Sequence, residues 1–428
     1  MLKVCKFGGS SLADAAGFLR VRQIVAEDTA RRVVVVSAPG RRHGEDQKIT
    51  DLLYLCHAHL RYGVPCWEIW RRVCSRFTGI RDGCGLELEI ERELEEIYGR
   101  FSVHTEQDAL VSRGEYLTAR LMAALLGFRF VDASEWLCFD YDGRVRREES
   151  YERLASLADG QKIVTPGFYG VLPDGRIHTF SRGGSDVTGA LAAAALRADV
   201  YENWTDVPGV LAADPRIIRQ PRVVGQLSYE ELGQLSAVGM QVLHESAVEP
   251  VRERQIPLQI RSTLRPDLPG TCISTARPAE ADGLVGFAGR RRMAMLRVRC
   301  ADAGAAETAL RALGAEPFCL SAALGQTTVL LDMEEGAGTA GLAGRMRAAL
   351  PGVEVTLREN LSILAAVCRT TEPAARILQA VEHAGVPVHH LVRSVPSLLM
   401  VVNDSQYETA LRAAAAVLQR GDRATGEV

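Results

Sequence analysis

Short apolar runs, each followed by a small-residue loop and then a helical periodicity, fill the first part of the chain. Leu2–Phe7 alternates like a strand entering a core. Gly8-Gly9-Ser10-Ser11 follows, and Leu12, Ala15, Leu19 and Arg22 then keep helical spacing. Ser11 and Asp14 have the spacing of a capping box. Val33–Val36 is wholly apolar and β-branched, which predicts a central parallel strand ending in Ser37-Ala38-Pro39-Gly40. Lys48-Ile49-Thr50-Asp51 opens an amphipathic helix. Residues 60–110, rich in charge and helix formers, predict a helical insertion whose role the sequence leaves open. Ser112-Arg113-Gly114-Glu115 leads into a helix with Leu117, Leu121 and Leu125 on its buried stripe. Phe128–Asp132 and Lys162–Thr165 predict further strands. Strands alternating with helices predict an α/β fold, a parallel-rich sheet sandwiched by helices.

The densest candidate chemistry lies between Ile177 and Asp206. Ile177–Phe180 predicts a short buried strand, Arg182-Gly183-Gly184-Ser185-Asp186 a tight loop, and Val187–Leu196 an alanine-lined helix able to lie close to a sheet. Val200–Trp204 predicts another strand, ending in Thr205-Asp206. Paired glycines let backbone N–H groups approach an anion, and Ser185 is placed to cap a helix whose first turn favours phosphate or carboxylate. Two strand ends would bring Arg182, Ser185, Asp186, Thr205 and Asp206 to one crest, where open α/β sheets bind ligands. Lys6 either sets a point charge on phosphate oxygens or is a surface lysine on an edge strand. Glu115 falls in a first helical turn, where the dipole favours a carboxylate; pairing with a ligand's ammonium is the functional alternative. Asp214-Pro215 marks a turn, and Arg216 could reach a nucleotide phosphate. Ser228–Val242 predicts a helix and Pro257–Ser262 a strand.

Beyond a linker-like stretch at Thr275–Asp282 the pattern changes to shorter units. Strands at Met293–Cys300, Thr327–Met333 and Val353–Leu357, a weak one near Phe318–Ala322, and helices at Ala305–Leu313 and Gly341–Leu350 make one βαββαβ-like set. Leu361–Cys368, Pro373–Ala384, Val386–Leu391, Ser397–Val402 and Tyr407–Leu418 make most of a second, an internal repeat of ferredoxin-like type. The second copy lacks a strand that Leu284–Ala288 would supply, interlacing the two.

At 428 residues the chain has length for two or three domains. A hydrophobic fraction of 47% and a net charge of −3 point away from nucleic-acid and membrane partners. The start, MLKVCKFGG, lacks the layout of a signal peptide, and the ten scattered cysteines form no CxxC. Reduced thiols in a cytoplasmic protein account for them more simply than a metal cluster with His57 and His59.

These segments together resemble the aspartate kinases. KFGGSS at Lys6–Ser11, SRGGSD at Ser181–Asp186, WTDVPGVLAADPR at Trp204–Arg216 and GQLSYEELGQLSAVGMQVLHESAV at Gly225–Val248 follow the family's order, and the tandem repeat resembles its paired ACT domains. The resemblance implies an amino-acid kinase catalytic domain over residues 1–275 and tandem, interlaced ACT domains over 284–428. The implied reaction is ATP-dependent phosphorylation of the L-aspartate side chain. Lys6 and Asp186 would organise phosphoryl transfer. Arg182 would bind substrate carboxylate and Glu115 the α-ammonium, with Ser37, Thr50 and Ser185 adding hydrogen bonds. Lys6, Gly8, Gly9, Ser10, Thr205, Asp206, Leu211, Arg216 and Gln241 would serve the nucleotide, with Mg²⁺ implied by its polyphosphate. A lysine or threonine effector and a dimer or larger assembly through the ACT domains are also implied. The alternatives are another amino-acid kinase acting on a different carboxylate or carbamate, and a non-catalytic amino-acid sensor. Three positions depart from the family pattern. Leu211 replaces an aromatic residue, Gln241 a lysine, and Cys368-Arg369-Thr370-Thr371-Glu372-Pro373 a glycine-rich effector loop, so altered feedback control is expected.

Overall fold

The computed structural model describes residues 1–181, 183–240, 243, 245–276, 283–299, 302–323, 325–333, 341–394 and 397–424. They fall into two compact units. One comprises Met1–Val210, Val223–Tyr229 and Val242–Arg277; the other comprises Leu211–Arg222, Glu230–Gln241 and Pro278–Val428.

In the first unit the strands are β1 (Lys3–Phe7), β2 (Arg31–Val36), β3 (Arg129–Phe130), β4 (Ile163–Pro166), β5 (Tyr169–Val171), β6 (Ile177–Thr179), β7 (Val200–Thr205), β8 (Gln226–Ser228), β9 (Leu258–Ser262) and β10 (Thr271–Ser274). Eight of them form one sheet in the order β3-β4-β2-β1-β7-β9-β10-β8. Every neighbouring pair is parallel except β9 with β10. The valine run takes its predicted place between β1 and β4, with Val33–Val36 all buried. The helix Gly184–Ala195 is almost wholly buried. Its small residues permit this: a Cβ at Gly189 would lie 2.5 Å from the Tyr201 hydroxyl. The insertion is helical as expected, with helices Trp67–Cys84, Ile90–Tyr98 and Gln107–Val111.

Four local expectations need correction. Ile177–Thr179 does not join the main sheet; it pairs antiparallel with β5 as a separate, half-buried hairpin, because the turn between them returns the chain at once. Ser185 does not cap its helix. Gly183 does, at φ +60°, a left-handed conformation that favours glycine, and Ser185 lies inside the first turn. Asp14, not Ser11, caps the first α-helix, accepting from the Gly17 amide, while Ser11 sits in a 3₁₀ turn. The helix expected over Ser228–Val242 spans Tyr229–Ala237, because Ser228 closes the strand β8.

Glu202, mid-β7 and fully buried, binds the middle of the sheet electrostatically. It accepts from Arg31 Nε at 2.8 Å, Lys3 Nζ at 3.2 Å and Trp204 Nε1 at 2.9 Å, and Arg261 Nη1 lies 3.7 Å away. Burial alone would push its carboxyl up; the Arg31 hydrogen bonds and the Arg31 and Lys3 charges outweigh that and hold it below the usual range. Glu202→Gln leaves buried cations without their counter-charge. It is expected to lower unfolding free energy by about 3 kcal/mol, read as a lower urea midpoint at unchanged m-value.

The second unit carries a six-stranded antiparallel sheet: β11 (Leu284–Val298), β12 (Cys319–Ala323), β13 (Gln326–Asp332), β14 (Val355–Cys368), β15 (His390–Ser394) and β16 (Ser397–Asn403), in the order β12-β13-β11-β14-β16-β15. The two repeats are stitched by β11 and β14, each long enough to serve both. Met295–Val298 pairs with Val355–Arg358, and Leu284–Arg290 with Ile363–Cys368. Where one repeat passes into the other, Arg292 and Asn360 take φ +57° and +58°. Leu284–Ala288 thus supplies the strand missing from the second repeat, in tandem ferredoxin-like modules of ACT type. The strand expected at Val386–Leu391 starts later, at His390.

Candidate active site

The C-terminal ends of β1, β2, β4 and β7 form the crest of the first unit. Lys6 and Asn203 are register partners on β1 and β7, and both turn to Asp186 in the first turn of the alanine-rich helix. Lys6 Nζ lies 2.5 Å from Asp186 Oδ1, and Asn203 Nδ2 donates to the same oxygen at 2.8 Å. Lys6 is buried, on a central strand with neighbours on both sides, so the edge-strand alternative is excluded. The first glycine loop lies against it. Gly8 N–H donates to Trp204 O at 3.0 Å, and a Cβ at Gly8 would stand 3.5 Å from the Lys6 ammonium.

A second group of loops meets beside the first. Gly40 N–H donates to Gly9 O at 2.8 Å, and Ile49 N–H to Pro39 O at 3.1 Å. A Cβ at Gly9 would lie 2.6 Å from Ala38 O, and one at Gly114 would lie 2.8 Å from the Ala38 side chain. Ser37–Gly40, the start of the helix Ile49–Arg61 with Thr50, and the start of the helix Arg113–Leu126 with Glu115 therefore converge. Ser185 is buried against Gly167, whose N–H donates to Val36 O at 2.9 Å, so it reaches the same end of β2.

Glu115 is the unusual group. It is 4% exposed, and its Oε2 has no hydrogen-bond partner among the described residues. Burial pushes its carboxyl up to about 8, against the opposing pull of the Ala38 backbone amide and its own. A helix-dipole role alone does not account for a carboxylate kept from water with an oxygen unsatisfied.

Thr205 and Asp206 close the β7 end, with Thr205 Oγ1 donating to Asp206 Oδ1 at 3.2 Å. Thr263 N–H donates to Thr205 O at 2.8 Å, and Thr263 Oγ1 lies 2.8 Å from Ser11 Oγ, tying the glycine loop to that strand end. Ser10 stands exposed on the same loop. Arg182 and Gln241 lie outside the described residues. Leu211 and Arg216 belong to the second unit, where Arg216 is forked onto Asp214, with Nη2 2.7 Å from Oδ2. The sequence reading missed Asn203 and Thr263. Neither has a local motif; only strand register brings them to Asp186 and Thr205.

Residues 1–262 match the amino acid kinase family. Aspartokinase 3 of Bacillus subtilis is 36% identical over 302 residues, covering 67% of this chain and 66% of that protein. The lysine-sensitive aspartokinase 3 of Escherichia coli is 30% identical over 308 residues, covering 64% and 65%. These alignments span just under two thirds of the curated relatives' length. The crystal structure of Clostridium acetobutylicum aspartate kinase is similar over 97% of this chain and 99% of its own, with a TM-score of 0.86 and 32% identity. Escherichia coli aspartokinase III, solved in complex with aspartate and ADP, shares the fold, covering 98% of this chain and 100% of its own at a TM-score of 0.74 and 23% identity.

Proposed function

The chain belongs to the amino acid kinase family, and we propose that it transfers the γ-phosphoryl group of ATP to the side-chain carboxylate of L-aspartate. The product, 4-phospho-L-aspartate, leads towards lysine, threonine and methionine. The observation that carries this reading is Glu115: a buried carboxylate with an unpartnered oxygen, set where the crest loops meet, suits the ammonium of an amino acid. The similarity to aspartate kinases from three organisms supports the choice of aspartate.

Phosphoryl transfer asks for positioning and charge stabilisation more than for covalent help. The acceptor carboxylate is ionised at neutral pH and is itself the nucleophile, so no general base is needed. Lys6 offsets negative charge on the transferring group. Asp186, held by Asn203, fixes where the Lys6 ammonium sits. Glu115 receives the α-ammonium; Ser37, Thr50 and Ser185 donate to substrate oxygens, and Arg182 binds a substrate carboxylate. Gly8, Gly9, Ser10, Thr205 and Asp206 face the nucleotide. Roles for Arg182, Leu211, Arg216 and Gln241 rest on the sequence resemblance alone.

Among the described residues no three His, Cys, Asp or Glu side chains stand together as metal ligands. Asp186 is already engaged by Lys6 and Asn203, so the described residues offer no Mg²⁺ cage of their own. The ion enters with the substrate as MgATP, held chiefly by phosphate oxygens. The C-terminal modules are assigned amino-acid effector binding, with lysine and threonine as candidates, and self-association into a dimer or larger.

ADP release from MgATP, measured with aspartate, glutamate, acetylglutamate and carbamate in parallel, tests the reading. Aspartate-dependent release is expected, and lysine or threonine added to that reaction identifies the effector. Release with another acceptor but not with aspartate would reassign the substrate.

A further inference from the structure

The helical insertion reaches the crest loops with a buried charged side chain, Arg76 of the helix Trp67–Cys84. Its guanidinium is 5% exposed and forks in two directions. Nη1 donates to Gly40 O at 2.8 Å and to Ala13 O at 3.2 Å; Nη2 donates to Asp46 Oδ2 at 2.5 Å and, at 3.4 Å, to Gln47 O. These acceptors are not scattered. Gly40 is the residue whose N–H bonds Gly9 O, with the two backbones so close that a Cβ on Gly40 would stand 2.7 Å from Gly9 C. Asp46 and Gln47 immediately precede Lys48 and the helix start that carries Thr50. One planar group thus ties both ends of the loop between β2 and the helix Ile49–Arg61, and joins them to Ala13 just after the Gly9 turn. Arg42 also holds Asp46, through its backbone amide and Nε, both at 2.9 Å, so the carboxylate is a fixed anchor for the fork.

We propose that Arg76 is a positioning residue for phosphoryl transfer: through Gly40 and Asp46–Gln47 it sets the spacing between the Gly9 loop and Thr50. This rests on the function proposed above, but the clamp itself is a property of the loops. A lysine keeps the charge yet offers one nitrogen, which cannot span Gly40 O and Asp46 together. A misplacement of about 1 Å in such loops costs on the order of a hundredfold in rate.

The test compares Arg76→Lys and Arg76→Met with Arg72→Met. Arg72 lies on the same helix, exposed and without a hydrogen-bond or ion-pair partner among the described residues. Both Arg76 variants are expected to raise the aspartate KM about tenfold and lower kcat about tenfold, in line with the hundredfold cost of misplaced loops. Arg72→Met should match wild type. Hydrogen exchange at the Gly40 and Ile49 amides should speed up in Arg76→Lys, a readout that needs no substrate and stands if Arg76→Met fails to fold. Wild-type kinetics in Arg76→Lys, or a lowered melting temperature with unchanged kinetics and unchanged exchange, would overturn the proposal. A wild-type protein inactive on aspartate would instead sink the assigned reaction and leave the exchange result to judge the clamp.

Discussion

Glu115→Gln is expected to raise the KM for aspartate by about a hundredfold or more, because it removes the buried charge proposed to receive the ammonium; breaking such a pair costs about 3 kcal/mol. The same residue gives a pH signature. Its carboxyl lies near 8 in the folded protein against 4.5 for an unburied one, so the ligand-free native state holds a proton that the unfolded chain has released. Folding stability therefore falls as pH rises from about 4.5 to 8, by up to about 1.4 kcal/mol per pH unit, and levels off above that window. The Gln variant, with nothing to ionise there, has a flatter profile across the window and is the more stable protein at pH 8.5. Bound aspartate would supply a cation and draw the carboxyl down, so binding at pH 7 is expected to expel close to one proton. Titration calorimetry in buffers of different ionisation enthalpy measures that proton directly. Binding without proton release would remove Glu115 from the substrate site.

Lys6→Met is expected to lower kcat about a thousandfold, the scale of losing a charged donor aimed at developing charge. The change also strips Asp186 of its cation, leaving, among the described residues, the Asn203 amide on that oxygen. Lys6→Arg is not a rescue. The buried ammonium meets Asp186 Oδ1 as a compact point charge, and the longer, planar guanidinium would not keep that geometry from the same strand position. ATP affinity, measured without aspartate, is expected to change far less than kcat, because Lys6 acts on charge that appears in the transition state. A kcat within threefold of wild type would contradict the role given to Lys6.

Much of this was legible from sequence because the chemistry sits on short-range signals. The valine run of β2, the Gly8-Gly9 and Gly183-Gly184 loops and the alanine-lined helix each carry a local physical reason for their structure. The interlaced repeats could be read too, since Leu284–Ala288 was a strand without a partner in its own repeat. What escaped depends on which strands become neighbours. Glu202 is one glutamate in VYENWT, and nothing nearby says that Lys3, Arg31 and Arg261 will surround it. Asn203 and Arg76 acquire their roles only when β7 lies beside β1 and the insertion folds back on the crest. Ile177–Thr179 has strand periodicity, but periodicity does not say which sheet receives a strand, and here it forms a hairpin. Ser185 seemed a better cap than Gly183 by residue type; the left-handed φ at Gly183 decided otherwise.

The most direct test traps the product. The wild-type protein with MgATP, L-aspartate and hydroxylamine should form aspartyl hydroxamate in step with ADP, and Lys6→Met should form about a thousandfold less. ADP released without hydroxamate, or hydroxamate formed equally by both proteins, would contradict phosphorylation of aspartate at this crest.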